Sequence, residues 1–455
     1  MSSSWTIKTA LCAAVLVLWM PWVASAQTTT AQILPKQNSP YSRFGLGDLF
    51  SSALVSQTGM AGMGIAVRDG SHTNWLNPAA LSSLEVAAFE LGVSAKYSAL
   101  SDGDQKDAAF SGNLRQISLA FPLNNSINRA QERKKRNFNW GMGFHLSPYS
   151  EVGYNIQNVE IRGETLDRIT TDLKGSGGTY KLGFGNGVRI GNLSLGAELQ
   201  ALFGKIANSR GVYLDSVALA YSTDLQDDIS YRGTIFKLGA QYVINLDKPN
   251  DQGVKEIGDR SLIFGFTYTP NSDLKSVSSR LYRRLSPNAS VSDTITYESD
   301  IARGGTLPSE MGFGLTYESL GKLRISAEYL QTRWSEYQNE AKSESLSDSR
   351  RMAFGLEFIP DVQSYNNNWS RARYRLGVFH AQDARSNNGQ QLTNYGLTLG
   401  VGIPIILPRQ TLSFVNLALE AGRFGAADGL KENYVQFHFG FTLNDSSWFF
   451  KRKFN

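Results

Sequence analysis

The chain has 455 residues, with 45 Lys and Arg against 40 Asp and Glu, and a net charge of +5. That even balance argues against a protein that binds nucleic acid by bulk charge. The densest basic run, Arg129–Arg136, holds no aromatic side chain to stack on a base, so it reads as a solvated turn rather than a site for nucleic acid or anionic lipid. Only 19% of residues are charged and mean hydropathy is −0.26. Beyond the leader no stretch reaches the roughly 18 apolar residues of a spanning helix. A strand-built membrane protein meets the same test, because only half of each strand touches lipid.

In chain order, Lys8 precedes the apolar run Ala10–Val23, and Ala24-Ser25-Ala26 supplies a small-residue cleavage site. Residues 1–26 are therefore expected to be a secretory signal peptide. The single cysteine, Cys12, falls inside it. The mature chain thus has no thiol, which excludes a disulfide framework, a Cys-metal site and a Cys nucleophile. No linker divides the mature chain, and one domain is expected.

Residues 39–83 do not alternate. Gly59, Gly62 and Gly64 permit close backbone approach. Gly64 starts no G-x-G-x-x-G loop, and Asn77-Pro78 marks a turn. From there period-two alternation takes over. In Leu193 to Ala201, Leu193, Leu195, Ala197 and Leu199 share one face, opposite Ser194, Gly196, Glu198 and Gln200. Leu323 to Tyr329, Arg371 to Val378 and Tyr434 to Leu443 behave alike.

Strands are predicted near 84–97, 114–122, 140–149, 180–190, 193–206, 230–244, 261–270, 306–319, 323–334, 349–361, 371–382, 392–405, 412–424 and 434–443, with 274–286 an extension into a loop. Fourteen is an even count, which puts both termini on one side of a closed barrel. Short turns at Gly191-Asn192, Leu320 to Lys322 and Leu407 to Gln410 then fall on the periplasmic side. The opposite connections, 150–179, 207–229 and 271–305, are expected to be long polar loops. The connections 123–139 and 245–260 are longer than that scheme asks.

The stretch TGMAGMGIAVRDGSHTNWLNPAALSSL, with Asn77-Pro78-Ala79-Ala80-Leu81, resembles the N-terminal hatch of the FadL/TodX family of outer-membrane transport proteins. Leu307-Pro308 to Trp334-Ser335 resembles the late hairpin of that family. The opening SPYSRFGLGDL and the ending NDSSWFFKRKFN look like a Bacteroidetes-type branch. Penultimate Phe454, rather than the last residue, is aromatic, which departs from the family pattern.

The resemblance implies an all-β transmembrane antiparallel barrel over residues 84–455, with a short tail and a hatch from residues 27–83 inside its periplasmic end. It implies uptake of hydrophobic, long-chain fatty acid-like compounds across the outer membrane of a Gram-negative bacterium. The alternatives are an accessory or shuttle barrel of a protein secretion system, and a general porin. Expected partners are outer-membrane lipid, hydrophobic small molecules, the barrel assembly machinery and, on the accessory reading, a secretion translocon.

His72, His145, His380 and His438 are scattered without metal-ligand spacing, and no Ser sits in a G-x-S-x-G elbow. Neither catalysis, nor a metal, nor a cofactor is expected. Candidate ligand and hatch residues are Phe44, Leu46, Leu49, Met60, Gly62, Met63, Gly64, Trp75, Leu76, Asn77, Pro78 and Ala79. By alternation Glu198, Arg324, Glu328, Arg351, Glu357, Arg371, Arg373, Arg375 and Glu420 face the lumen. There they either pair to fix the plug or offer an arginine to a ligand carboxylate. Gly141, Gly143 and Pro148 mark bends in the third strand. The family kinks that strand to open a lateral exit; the other reading puts Pro148 in the extracellular rim.

Overall fold

The computed structural model describes residues 38–124, 138–162, 167–217, 220–247, 258–286, 292–406 and 412–448. The readings of residues 1–26, Arg129–Arg136, the 407–410 turn and Phe454 lie outside these residues. Fourteen antiparallel strands form the wall: β1 Ala87–Asp102, β2 Gln105–Pro122, β3 Phe138–Arg162, β4 Asp167–Ile190, β5 Leu193–Leu214, β6 Ser222–Asn245, β7 Arg260–Thr269, β8 Glu310–Ser319, β9 Leu323–Thr332, β10 Ser349–Phe358, β11 Arg373–Asn387, β12 Gln390–Ile406, β13 Leu412–Gly425 and β14 Lys431–Asp445. β14 returns to β1, pairing from Lys431↔Ser101 to Asp445↔Ala87, and closes the barrel. Closure satisfies the backbone groups that an open sheet edge would leave bare in lipid.

The two faces separate as the alternation requires. Phe89, Leu91, Leu195, Leu199, Leu376, Phe437 and Phe439 are exposed outward, while Glu198, Arg375 and His438 are buried inward. Leu399 stands in that outer belt, opposite Leu376 on one side and Leu419 on the other. Replacing Leu399 with Arg should cost about 2–4 kcal/mol of stability in a bilayer, the mid-depth penalty for a lipid-facing cation. Denaturant unfolding in liposomes would measure it, and a loss under about 0.5 kcal/mol would put Leu399 outside the lipid belt.

Two expectations need correction. The first strand starts at Ala87, not residue 84; Leu84 is buried with Trp75, Leu81 and Ala120. Segments 150–179, 207–229 and 271–305 are not long loops but mostly strand. β3 has 25 residues and β9 has 10, so one side of the barrel is taller by roughly 50 Å along the strand. β7 resumes after Pro270-Asn271 as Ser272–Leu285, and β8 is preceded by Ser292–Arg303. Ser272–Leu285 pairs with β6 on one side and with Ser292–Arg303 on the other. Cross-strand ion pairs such as Arg283–Asp224 (2.8 Å) and Lys205–Asp228 (2.8 Å) lace the tall wall. Beyond lipid both faces can be polar, so pairing continues where alternation stops.

Most of the described connections at the tall end are tight. Asn388-Gly389 turns with both φ positive (50° and 79°), the mirror-image geometry that suits a two-residue hairpin. The exception, 333–348, folds inward and buries Trp334 and Tyr337 against Leu46, Tyr154, Ile229 and Leu307.

Candidate functional site

Residues 38–86 run inside the barrel. They reach from the tall end to the end where β1 starts, not only the latter end as expected. At the tall end Tyr41 packs edge-on against Phe424, its hydroxyl donates to the Leu430 carbonyl at 2.7 Å, and Asp48 pairs with Arg385 at 2.7 Å. At the opposite end Asp69 pairs with Arg373 and lies 3.3 Å from His72 Nδ1. Burial alone would raise the Asp69 carboxyl, but Arg373 and His72 hold it well below the usual carboxylate range.

Glycine makes the fit between segment and wall. Gly141, Gly187, Gly196 and Gly239 are register partners on four successive strands, β3 to β6. A Cβ on them would stand 2.0 Å from the Leu81 carbonyl oxygen, 2.5 Å from that of Pro78, 2.3 Å from Ala79 N and 2.0 Å from Asn77 Oδ1. Gly265 and Gly377 do the same under the backbone of Ile65 and Ala61. These absent side chains form a seat for the segment's own backbone.

The N-P-A sequence answers to that seat. Asn77 caps the 3-10 turn Pro78–Ser83 by accepting from Ala79 N–H at 3.0 Å. Its amide donates to the carbonyls of Ile65 (2.7 Å) and Ala240 (3.1 Å). Proline at the first position has no N–H to satisfy.

Other predicted residues fall into groups. Met60 and Met63 are buried against Ala353 and Phe379, and Trp75 and Ala79 are fully buried. Leu46 joins the apolar cluster at the tall end, Phe44 is partly buried beside Tyr41, and Leu76 lines the lumen cavity. Glu328 accepts from the N–H groups of Gly64 (2.7 Å) and Ile65 (2.5 Å), and Arg351 donates to the Ala61 carbonyl near Gly62. Arg324 and Arg375 grip Glu357 at 2.9 and 2.7 Å. Glu420 accepts from the Tyr434 hydroxyl at 2.8 Å. Arg371 is not a strand residue, since β11 begins at Arg373; it donates to Asn368 in the preceding turn.

Glu198 lies 2.5 Å from His145 Nε2, and Ser147 Oγ lies 3.3 Å from His145 Nδ1. Hydroxyl, imidazole and carboxylate stand in the order of a hydrolytic triad. All three are buried, Trp75 covers the ring at 4.5 Å, and even a methyl at Gly183 would meet His145 Nε2 at 2.2 Å.

Gly141, Gly143 and Pro148 bracket a break in the wall. β2 and β3 pair only from Pro122↔Gly141 to Ile117↔Leu146. Above Leu146 the two strands part, Pro148 sits two residues past the break, and the inner segment fills the gap. Asp48 and Leu49 pair with Glu151 and Ser150, Phe50 N donates to the Tyr149 carbonyl at 3.0 Å, and Asn38 N to that of Gly153 at 2.7 Å. Leu49 is 42% exposed at this seam. The lumen cavity behind it, about 290 Å³, mixes Phe50, Leu76 and Phe379 with Arg115, Glu328 and Arg351. Arg115 was not singled out from sequence. Its signal was there: Leu114 and Ile117 both face outward, three apart, which breaks the period of two.

Several solved structures share this fold. The CymD monoaromatic hydrocarbon channel superposes with a TM-score of 0.53 at 15% identity, covering 88% of this chain and 99% of that one. A Pseudomonas aeruginosa FadL homologue gives 0.54 at 13%, covering 87% and 98%. The Pseudomonas putida toluene transporter TodX gives 0.50 at 13%, covering 88% and 99%. No curated protein sequence matches the chain. The barrel is thus of the FadL-type outer-membrane fold, and the BamG family model matches residues 7–455, so the chain belongs to the BamG family.

Proposed function

We propose that the protein is an outer-membrane channel that takes up hydrophobic, fatty acid-like compounds and releases them sideways through the β2–β3 seam. The seam carries this reading. A wall that stays unpaired above Leu146, and is stopped by Asn38 and residues 48–50 of the inner segment, opens at the cost of a few hydrogen bonds. The names of the structural neighbours CymD and TodX, a hydrocarbon channel and a toluene transporter, agree with it. A porin needs an open polar lumen, and a segment seated on glycines from β3 to β6 argues against one.

A second reading, an accessory barrel of a secretion system, draws on the charged lining of the lumen cavity, where Arg115, Glu328 and Arg351 face the space. One experiment separates the two. Leu49 and Ser150 are register partners, close enough for a disulfide once both are Cys. Oxidised Leu49→Cys/Ser150→Cys protein should lose uptake of a labelled fatty acid and recover it on reduction. Equal uptake in both states would sink the lateral channel and leave the accessory role.

A further inference from the structure

The outer face of the tall wall changes character partway up. On β5 the outward positions run Leu193, Leu195, Ala197, Leu199, Ala201 and Phe203, and then turn polar at Lys205. Leu193 and Phe203 lie ten residues apart. That is about 33 Å of strand and, at the usual tilt, about 25 Å of height, which matches the apolar belt of an outer-membrane barrel. On β6 the belt ends at Phe236, and the outward positions beyond it are Thr234 and Arg232. Phe203 stacks with Tyr180 of β4 at 6.3 Å between ring centroids, as aromatic side chains do where acyl chains give way to head groups. Barrels of this kind keep their short turns in the periplasm, so the tall wall rises through the outer leaflet.

Two cations face each other just above that belt. Arg232 is the register partner of Phe203 on one side and of Lys275, in Ser272–Leu285, on the other. Both cations are exposed, and neither forms an ion pair among the described residues. Cross-strand partners hold their Cβ atoms about 4.5–5.5 Å apart, where like charges are destabilising. Elsewhere the same wall sets acid against base: Asp224 against Arg283, Asp227 against Arg280 and Asp293 against Arg284. The acids that share the outward face leave the two cations alone. Asp228 holds Lys205 at 2.8 Å, and Asp273, the next outward position below Lys275, forms no ion pair among the described residues.

We propose that Arg232 and Lys275 together hold a phosphate monoester on the head group of an outer-leaflet lipid, whose acyl chains lie against Phe203, Phe236 and Leu238. The site is on the outside of the barrel, separate from the seam and the lumen. A phosphate between the two side chains turns their repulsion into a bridge. The guanidinium spans two phosphate oxygens with paired N–H donors, and the ammonium adds a compact charge beside it. The exposed rings and leucine below supply the apolar surface that such a lipid needs.

The test is native mass spectrometry of the full chain in dodecyl maltoside, titrated with diphosphoryl lipid A, phosphatidylglycerol or phosphatidylcholine. Lipid A should be retained and phosphatidylcholine should not. Arg232→Gln/Lys275→Gln should weaken lipid A binding by roughly ten-fold or more, the loss of its charge-assisted contacts. Lys174→Gln is the control: this exposed cation lies opposite Ser209, higher on the same face, and its loss should leave binding unchanged. Lys275→Glu should raise the melting temperature of the lipid-free protein, because it faces Arg232 with an acid, and should weaken lipid A binding as the double variant does. Equal lipid A binding by wild type and Arg232→Gln/Lys275→Gln would overturn the site. Phosphatidylglycerol, a phosphodiester, bound as tightly as lipid A would overturn the monoester. Displacement of lipid A by an equal concentration of inorganic phosphate would overturn the lipid in favour of a free anion.

Discussion

Replacing Glu357 with Gln should lower barrel stability by about 3–5 kcal/mol, the usual cost of removing one partner from a buried ion pair. Glu357 sits between Arg324 Nη1 (2.9 Å) and Arg375 Nε (2.7 Å), and both its carboxylate oxygens are used. The amide is nearly the same shape, so packing survives and the charge alone is lost. Arg324 keeps Glu318 at 2.5 Å, but Arg375 keeps only Asn416 at 3.1 Å. Arg373, beside them, is tied to Asp69 of the inner segment, and Arg324 donates to the Arg68 carbonyl at 3.0 Å. The damage should therefore reach the segment, and residues 68–72 should become open to protease before the strands unfold. Urea unfolding in liposomes, with limited proteolysis alongside, reads both effects. Stability within about 1 kcal/mol of wild type would show that the acid is not holding the arginines. The triple replacement Glu357→Leu/Arg324→Met/Arg375→Met should recover part of the loss, because it leaves no bare charge behind.

The strand count and the lipid face were legible because lipid imposes one strict rule, an apolar residue at every second position. That is why Leu195, Leu376 and Phe439 could be placed outward from sequence. The tall ends of β3 to β6 were not legible. Stretches such as Thr170 to Thr179, with three glycines and one serine among threonine, aspartate and lysine, carry no period and read as loop. They are strand because β3 and β5 hold them on both sides, a tertiary cause with no local trace. The lumen charges were readable as inward, but not their partners. Which groups meet Arg375 depends on strand register, and its partners Glu357 and Asn416 lie 18 and 41 residues away in sequence. Small residues on the lumen face were visible as a composition; what they make room for was not, since that requires knowing which backbone lies against them.

Gly196→Val should unseat the inner segment while leaving the barrel closed. Its Cβ would stand 2.3 Å from both Ala79 N and the Pro78 carbonyl carbon, backbone atoms that cannot swing away as a side chain can. Overpacking of this kind costs about 1–3 kcal/mol where a neighbour can shift. Here the neighbour is a capped turn, so relief comes only by lifting Pro78–Ser83 from the wall, which draws Trp75 and Leu81 from full burial. Each such side chain forfeits about 1.5–3 kcal/mol on exposure to water. The wall has no share in that loss, because β5 keeps its register with β4 and β6. A Ser82→Cys marker, buried in the native chain, should stay silent to a polar maleimide in otherwise wild-type protein and react readily beside Gly196→Val. Liposomes carrying the variant should leak small polar solutes. Gly112→Ala is the control, since no atom other than the Ser94 carbonyl oxygen lies within 4 Å of its Cβ, at 3.9 Å. A silent Ser82→Cys beside Gly196→Val, with the barrel folded, would mean that the segment yields in place and that the glycines do not form its seat.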